Sequence, residues 1–326
     1  MRVLLTGATG FVGSHILEKL LSDKNEVVCP VRKTSNLHYI ENCNAVIKYG
    51  DLDDDMFIEQ LISSVDVVVH CAGLVRALKF DDYYKVNTAI TAKLVEAVKN
   101  NKENIKKFIY ISSQSAVGPS LSNVPKDFGK EEPVSDYGKT KLFAEQEVKK
   151  LEGFVPYVIL RPAAVYGPRD KDIFTVFKIV HNKISLKTIS KHFVQVVYVE
   201  DIAKIISQII KSESYVTDNK IYSVCDGKIY SWKDIADTIA KVNYVPIRFT
   251  VPVFDFVFKL AGIFYNFIEM FTKKPQVLSV QKVGEILKEN WIIGNEKIVS
   301  DIGFEFEKLE TGAIKTYNWY KENKWF

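Results

Sequence analysis

The chain has 326 residues, of which 47% are hydrophobic and 26% are charged, a composition that excludes a disordered, collagen-like or low-complexity protein. Its 44 lysines and arginines outnumber its 40 aspartates and glutamates by only four, and the charges are dispersed, so they give no support for a nucleic-acid partner. The four cysteines lie far apart without a neighbouring histidine cluster, which predicts neither a metal site nor a disulfide framework and fits a reducing compartment.

Neither a signal peptide nor a membrane-spanning helix is predicted. Residues 1–10 enter a strand-and-turn pattern at once and leave no room for a charged leader followed by an apolar core. The most apolar later stretch, residues 251–271, is interrupted by Asp255, Lys259 and Glu269, whereas a membrane span needs about 20 nearly uncharged residues. We therefore expect a soluble, cytoplasmic protein that at most associates with a surface.

Short apolar, β-branched runs alternate with amphipathic segments of helical length through the first half of the chain. The predicted strands are residues 2–7, 26–31, 45–50, 65–73, 107–113 and 157–162. The predicted helices between them are residues 11–23, 56–64, 83–100 and 136–152. This alternation is typical of a parallel sheet with helices on both faces, so the predicted fold class is α/β with a doubly wound parallel sheet, the Rossmann architecture.

Beyond residue 167 the pattern loosens and becomes richer in aromatic residues. A strand-then-helix unit returns at residues 193–210, which predicts that the chain rejoins the first layer there before leaving it again. The predicted organisation is a first domain formed by residues 1–167 and about 193–226. A smaller, discontinuous C-terminal region is formed by about 168–192 and 227–326.

Three glycines lie between the first predicted strand and the first predicted helix, in the sequence TGATGFVG. Gly7 permits a tight turn, Gly10 lets backbone N–H groups approach a pyrophosphate, and Gly13 lets the helix pack closely on the strand. The helix N-terminus, with Phe11 and Val12, supplies N–H donors and a partial positive charge for phosphates. A tight strand-to-helix connection alone would also use glycine, but the strand before it and the helix after it favour dinucleotide binding by the first domain.

The end of the second strand is where such a domain contacts the adenosine ribose. An acidic residue there favours NAD, and a basic one accommodates the 2′-phosphate of NADP. This chain has Arg32 and Lys33 there and no carboxylate, so NADP is the predicted cofactor, with NAD as the alternative if the two cations are merely solvated. Asp51 and Leu52, just past the third strand, are predicted to contact the adenine edge, unless Asp51 caps the following helix.

Tyr137 and Lys141 are four residues apart on a predicted helix, so their side chains lie on the same face. A free tyrosine has a pKa of about 10, and a nearby ammonium favours the phenolate, which lets the phenol exchange a proton near neutral pH. A hydroxyl partner is available at Ser112 or Ser113, which end a buried strand at the edge where ligands bind in open α/β sheets. With the glycine turn, these residues predict a proton-transfer site beside the dinucleotide.

Taken in order, these motifs resemble the extended short-chain dehydrogenases/reductases, the superfamily of nucleotide-sugar epimerases and dehydratases, 3β-hydroxysteroid dehydrogenases and dihydroflavonol reductases. The resemblance covers about the first 200 residues. It is carried by TGATGFVG (6–13), GDL (50–52), HCAG (70–73), VN (86–87), ISS (111–113), YGKTK (137–141), LRP (160–162), VYGP (165–168) and YVEDIA (198–203).

The resemblance implies a role for each residue of the catalytic group. Tyr137 would be the acid/base, and Lys141 would lower the pKa of Tyr137 and hold the nicotinamide ribose. Ser113 matches the catalytic serine of the family better than Ser112 does, with Ser115 as a weaker alternative, and would donate a hydrogen bond to the substrate oxygen.

Further residues are assigned to the cofactor site by the same resemblance. Asn87 would organise the site and approach the cofactor, Ala72 and Gly73 would line the nicotinamide side, and Pro162 would flank the nicotinamide ring. Two neighbours, His70 and Cys71, are interpreted instead as packed structural residues.

Two reactions fit these residues, and a noncatalytic role is a third hypothesis. In the first reaction, hydride moves between nicotinamide and a secondary alcohol or ketone while Tyr137 transfers the proton. In the second, a transient ketone forms on a nucleotide sugar, as in an NAD-dependent epimerase or dehydratase. The third hypothesis is an NADP-binding sensor or scaffold, against which the intact Ser113, Tyr137 and Lys141 weigh.

Reduction is favoured by the basic pair Arg32 and Lys33 and by an apolar C-terminal region, which is predicted to bind the substrate. Its aromatic residues predict an apolar pocket wall, with a core or an oligomer seam as the alternative: Phe254, Phe256, Phe258, Phe264, Tyr265, Phe267 and Phe271. The predicted partner is a small-molecule substrate, either an apolar ketone or alcohol or a nucleotide sugar, and a homodimer is left open.

Overall fold

The computed structural model describes residues 1–120, 124–125, 129–188, 190, 192–212, 218–276, 280–288 and 290–326. The strands are β1 (Arg2–Thr6), β2 (Glu26–Val31), β3 (Val46–Tyr49), β4 (Val67–His70), β5 (Lys107–Ile111), β6 (Tyr157–Pro162), β7 (Ala164–Tyr166), β8 (Ile184–Thr188), β9 (Phe193–Val194), β10 (Val196–Tyr198), β11 (Lys220–Val224), β12 (Tyr230–Ser231), β13 (Phe249–Val253) and β14 (Asn290–Trp291). The α-helices are α1 (Phe11–Ser22), α2 (Asp55–Ile62), α3 (Phe80–Tyr83), α4 (Ile90–Asn100), α5 (Asp136–Lys149), α6 (Phe174–His181), α7 (Val199–Lys211), α8 (Trp232–Val242), α9 (Asp255–Thr272), α10 (Val280–Ile286), α11 (Glu296–Ile302) and α12 (Leu309–Glu322).

Seven strands form one parallel sheet in the order β3-β2-β1-β4-β5-β6-β11. The direction of strand addition reverses between β1 and β4, and in open α/β sheets ligands bind outside the carboxyl ends of the strands at that point. The six predicted strands and four predicted helices are confirmed, with ends shortened by a few residues. The predicted helix 83–100 contains a π-helical stretch, Tyr84–Ala89, ahead of α4.

The sheet is covered on both faces because successive side chains of a strand point to opposite sides. On β1, Val3 and Leu5 join one core with residues of α1 and α7, such as Ile16 and Ile206. The intervening residue Leu4 joins the second core, on the face covered by α2, α4 and α5. This two-sided burial confirms the doubly wound α/β prediction.

The unit predicted at residues 193–210 rejoins the first layer through its helix and not through its strand. Helix α7 packs against α1 and contributes to the first core. Strand β10 pairs in parallel with β7 in a separate two-stranded sheet, and β9 pairs with β12 and β14. The seventh strand of the main sheet is β11, which was not among the predicted strands.

The C-terminal region has a core of its own, formed by α6, α8, α12 and the short strands around β9 and β10. Phe177, Ile239 and Tyr320 are buried in it. The aromatic stretch at 251–271 lies outside this core. Most of the aromatic side chains of α9 face solvent, so the alternative that they form a core is wrong, and the segment is a surface helix packed on α10. Within the part of the chain that the structure describes, no helix is long and apolar enough to cross a membrane.

Candidate active site

The glycine turn lies at the carboxyl end of β1, beside the end of β4. Gly7 has a φ of +73°, and a Cβ atom there would lie 2.7 Å from the backbone nitrogen of Ala72. A Cβ atom at Gly13 would lie 2.1 Å from the carbonyl oxygen of Gly7, so both positions require glycine. At Gly10 the nearest atom would be 3.3 Å away, and this residue precedes α1 without a side chain that could occupy the N–H groups of Phe11 and Val12. The turn therefore fits a bound pyrophosphate.

An open cleft of about 350 Å³ lies at the carboxyl ends of β2 and β3. It is lined by Arg32, Lys33, Thr34, Tyr49, Gly50 and Asp51. The backbone of Arg32 is held in a turn, because its N–H donates to the Ser35 hydroxyl over 3.1 Å and its carbonyl accepts from the Ser35 N–H over 2.9 Å. The predicted adenosine residues thus share one cleft, except Leu52, which is half-buried against the second core.

The alternative role for Asp51 as a helix cap is wrong. Helix α2 begins after Asp54, whose carboxylate accepts hydrogen bonds from the N–H groups of Met56 and Phe57 over 2.9 and 3.2 Å. The Asp51 carboxylate accepts the Asp53 N–H over 3.1 Å and stays at the rim of the cleft.

Tyr137 and Lys141 project from the first two turns of α5, which starts after the cap residue Ser135. Lys141 is 3% exposed and donates a hydrogen bond of 2.6 Å from Nζ to the carbonyl of Ile111 at the end of β5. Ser113, two residues beyond that carbonyl, is hydrogen-bonded to the Tyr137 hydroxyl and accepts the Ser115 N–H over 3.1 Å. The three predicted catalytic residues are therefore brought together at the carboxyl edge of β5.

Burial dominates the protonation of this group. It raises the pKa of Tyr137, an effect that the hydrogen bond with Ser113 partly offsets. Burial also lowers the pKa of Lys141 to about 8, while Cys71 and Glu145 act in the opposite direction. Lys141 therefore does not bring the net pKa of Tyr137 below the ordinary value of a tyrosine in this arrangement, because desolvation of the phenol prevails.

The two adjacent serines at the end of β5 point in different directions. Ser112 donates to the carboxylate of Glu145 on α5, over 2.5 Å, and so lies under the helix. Ser113 faces Tyr137, which agrees with the preference for Ser113 over Ser112. Ser115 is buried, and its carbonyl oxygen packs against Gly138. A Cβ atom at position 138 would lie 2.2 Å from that oxygen.

Asn87 fastens the loop after β4 to the helix that carries Tyr137. Its side-chain oxygen accepts the Leu74 N–H over 2.7 Å, and its amide group donates to the Leu74 carbonyl and to the Thr140 hydroxyl, each over 3.1 Å. This clamp places Gly73 so close to the site that a Cβ atom there would lie 3.8 Å from Nζ of Lys141. The Ala72 N–H donates to the Thr6 hydroxyl over 3.1 Å, which fixes the other side of the loop.

The neighbouring residues behave as packed structure. His70 is fully buried between the hydroxyls of Thr6 and Thr91, at 2.7 and 2.9 Å, and burial lowers its pKa to about 3. Burial raises the pKa of Cys71 to about 11, which makes it a poor nucleophile. Pro162 ends β6 beside Val224 of β11 and is buried.

The family model for the NAD dependent epimerase/dehydratase family matches residues 3–225 of this chain. The chain belongs to this family. Its relatives are enzymes, and the chain is an NAD(P)-dependent enzyme of the extended short-chain dehydrogenase/reductase type.

Two curated relatives and one solved structure illustrate the range of the epimerase/dehydratase family around this chain. A ceramide reductase from Caulobacter vibrioides is 25% identical over 324 residues, which are 99% of this chain and 95% of that protein. A UDP-glucose 4-epimerase from Vibrio cholerae is 29% identical over 276 residues, 80% of this chain and 81% of that protein. A mutant UDP-glucuronic acid 4-epimerase from Bacillus cereus, in complex with UDP-4-deoxy-4-fluoro-glucuronic acid and NAD, superposes with a TM-score of 0.77 at 22% identity, covering 99% of this chain and 100% of that one.

Several residues around the site of this family member were not predicted from the sequence. Tyr83 is buried with its ring centroid 6.4 Å from that of Tyr137. Glu285 of α10 is buried, accepts a hydrogen bond from the Ser135 hydroxyl, and is one of the charges that raise the pKa of Tyr137. Tyr49 stands 57% exposed at the rim of the Arg32 cleft. The exposed tyrosine at a strand end was visible in the sequence, whereas Tyr83 and Glu285 reach the site only through tertiary packing.

Proposed function

We propose that the protein is an NADP(H)-dependent reductase of an apolar ketone. The observation that carries this proposal is the convergence of Ser113, Tyr137 and Lys141 at the sheet edge, next to the glycine turn. The bound dinucleotide would supply the hydride. The ceramide reductase matches almost the whole chain, including the C-terminal region, and this supports reduction of an apolar substrate over reaction of a nucleotide sugar.

In this reaction the protein's own groups bind and protonate the substrate oxygen. The hydroxyls of Ser113 and Tyr137 would donate hydrogen bonds to the ketone oxygen. Because burial raises the pKa of Tyr137, the phenol keeps its proton at neutral pH and is ready to give it to the alkoxide that forms on hydride arrival. The Lys141 ammonium, 3% exposed and bonded to Ile111, would stabilise the phenolate left behind.

The cleft at the end of β2 is proposed to bind the 2′-phosphate of NADP. A guanidinium can bind a phosphate through two parallel hydrogen bonds, and Lys33 adds a second cation at the same rim. The four free thiols support a reducing, cytoplasmic compartment for the enzyme.

Replacing Arg32 with Ala should remove the preference for NADPH over NADH. We expect the Kd of NADPH to rise about tenfold or more, because one charge-assisted phosphate contact is worth roughly 1.5–3 kcal/mol, while the Kd of NADH changes less than twofold. Isothermal titration with both nucleotides measures this. Lys48→Ala, an exposed lysine on the adjacent strand, is the matched control and should change neither constant. Equal loss of NADH binding would contradict the 2′-phosphate assignment.

The pH dependence of ketone reduction should report the protonation state of the Lys141 amine. Tyr137 has a raised pKa and stays protonated, whereas the pKa of Lys141 is lowered to about 8, so its positive charge is present below pH 8 and lost above it. We expect kcat for ketone reduction to be flat near neutral pH and to fall above about pH 8, approaching tenfold per pH unit. Stopped-flow measurement of NADPH oxidation in a single turnover checks this. A profile that stays flat to pH 10 would remove the Lys141 charge from the mechanism.

The experiment that separates reductase from epimerase is the stoichiometry of cofactor use. A panel of ketones from short alkyl to long acyl chains should consume one NADPH for each alcohol formed, with kcat/KM rising with chain length. A nucleotide-sugar epimerase would convert UDP-hexoses with no net change in NADPH absorbance. Conversion of UDP-glucose without cofactor consumption, together with inert ketones, would overturn the proposal.

A further inference from the structure

Helix α9 exposes a continuous apolar stripe along its whole length. Eight side chains recur at helical spacing on one face, each 44–69% exposed: Phe256, Val257, Leu260, Ile263, Phe264, Phe267, Met270 and Phe271. At 1.5 Å per residue the 18-residue helix is about 27 Å long. Together these side chains present on the order of several hundred Å² or more, which is at or above the largest apolar patch of a typical monomer.

The opposite face of α9 is fastened to the protein, so the stripe is held outward. Gly262 is buried against Val283 of α10, where a Cβ atom would lie 3.0 Å from the valine side chain. At the start of the helix, the Asp255 carboxylate accepts a hydrogen bond from Ser190 over 2.8 Å and lies 3.4 Å from His192. A helix anchored in this way does not need an apolar outer face for its own folding.

The charges around the stripe are unequal. Four lysines are exposed there: Lys259 on α9, Lys273 and Lys274 just after α9, and Lys288 just after α10. The described part of residues 249–288 contains three carboxylates, and each is hydrogen-bonded or buried. Asp255 accepts a hydrogen bond from Ser190, Glu269 accepts one from the Gln276 N–H over 2.8 Å, and Glu285 is buried. The rim of the stripe is therefore positively charged.

We propose that this face docks on an anionic phospholipid bilayer, with α9 lying in the interface plane. An amphipathic helix with phenylalanines on one side and lysines at its margins buries the former at the acyl boundary and directs the latter to the headgroups. Lys259 and Glu269 interrupt the apolar sequence of α9, so we expect the helix to lie on the membrane and not to cross it. A symmetric contact between two copies is disfavoured, because it would bring like-charged lysines together, while Asp255 and Glu269, the partly exposed carboxylates among the described residues of 249–288, already hold hydrogen-bond partners.

The docking face is connected to the candidate active site through α10. Gln281 donates to the Asp136 carboxylate over 2.6 Å, and Glu285 accepts from the Ser135 hydroxyl, so α10 rests on the first turn of α5 next to Tyr137. A short apolar groove between α9 and α10, lined by Ile263, Val283, Leu287 and their neighbours, runs beside this contact. Docking would place the entrance of the site near the bilayer surface. The proposal goes beyond the ketone reduction above and does not depend on it.

Vesicle flotation of the full chain tests the proposal. We expect binding to vesicles of phosphatidylcholine with phosphatidylglycerol and about tenfold weaker binding to phosphatidylcholine alone. Met270→Glu should reduce binding about tenfold, whereas Met56→Glu, a methionine of similar exposure (73% against 67%) on α2, should not. Lys273→Glu with Lys274→Glu leaves the stripe intact and should abolish the preference for the anionic vesicles.

The outcomes separate membrane docking from the other possibilities. The docking proposal would be overturned if the protein did not bind vesicles, or if Met270→Glu and Met56→Glu lost vesicle binding equally. A dimer in light scattering that Met270→Glu converts to a monomer, without vesicle binding, would assign the face to a second copy instead. Circular dichroism verifies that each variant is folded, and vesicle binding is read without any substrate, which keeps this test independent of the reductase assignment.

Discussion

Replacing Tyr137 with Phe should lower kcat for ketone reduction about 10³-fold while leaving the Kd of NADPH within twofold. The substitution removes only the phenolic oxygen. Burial keeps that phenol protonated, and the Ser113 hydroxyl is its hydrogen-bond partner, so the variant loses the proton donor and one of two donors to the substrate oxygen. The substitution leaves the glycine turn, the Arg32 cleft and the hydrogen bond from Lys141 to Ile111 unchanged, so nucleotide binding should be retained. Single-turnover NADPH oxidation and nucleotide titration measure the two effects separately.

Tyr83→Phe is the matched control for this variant. Tyr83 is also buried and its ring lies 6.4 Å from that of Tyr137, but its hydroxyl is bonded to the backbone of Ala77. We expect a change in kcat of less than about threefold. If Tyr137→Phe retained most of its activity, or if both variants lost activity equally, Tyr137 would not be the proton donor.

The parts of this fold that could be predicted from the sequence are those whose signal is local. β1, with Val3, Leu4 and Leu5 buried in two different cores, has the apolar run of a strand covered on both faces. The glycine turn and the Tyr137–Lys141 pair each lie within a few residues of one another, so spacing alone places their members together. Strand β11 was missed because it is only five residues long and incompletely buried, with Lys220 and Ser223 interrupting its apolar residues.

The rest of the site depends on contacts between distant segments. Glu285 reaches Ser135 from 150 residues away, and no spacing rule joins them. The direction of the pKa shifts also needed the structure, because the four-residue spacing of Tyr137 and Lys141 does not say that Lys141 points at the Ile111 carbonyl. The phenylalanines of α9 could be recognised as apolar, but whether they face a core or solvent is decided by what packs on the helix.

A buried ionic network holds the catalytic helix on the sheet. The guanidinium of Arg161 on β6 donates two hydrogen bonds to the Glu145 carboxylate of α5, over 2.9 and 2.6 Å, and another to Glu131 over 2.9 Å. Arg161 and Glu145 are 1% and 0% exposed, and Ser112 donates to the same carboxylate from β5. Because Glu145 is one turn beyond Lys141, this network fixes the helix that carries Lys141 and Tyr137 against the strand ends that carry Ser113.

Glu145→Ala should therefore lower the free energy of unfolding by about 3–5 kcal/mol, since it leaves the Arg161 charge buried without its main partner. The corresponding fall in Tm is roughly 10 °C for a chain of this size. The matched control is Glu147→Ala on the same helix, which removes a solvent-exposed pair with Lys150 and should cost less than about 1 kcal/mol. Urea unfolding monitored by circular dichroism measures both. We also expect Glu145→Ala to lower kcat, because α5 and with it Tyr137 would be displaced. If the two variants were equally stable, apolar contacts alone would hold α5 on the sheet, and this loss of kcat would be absent as well.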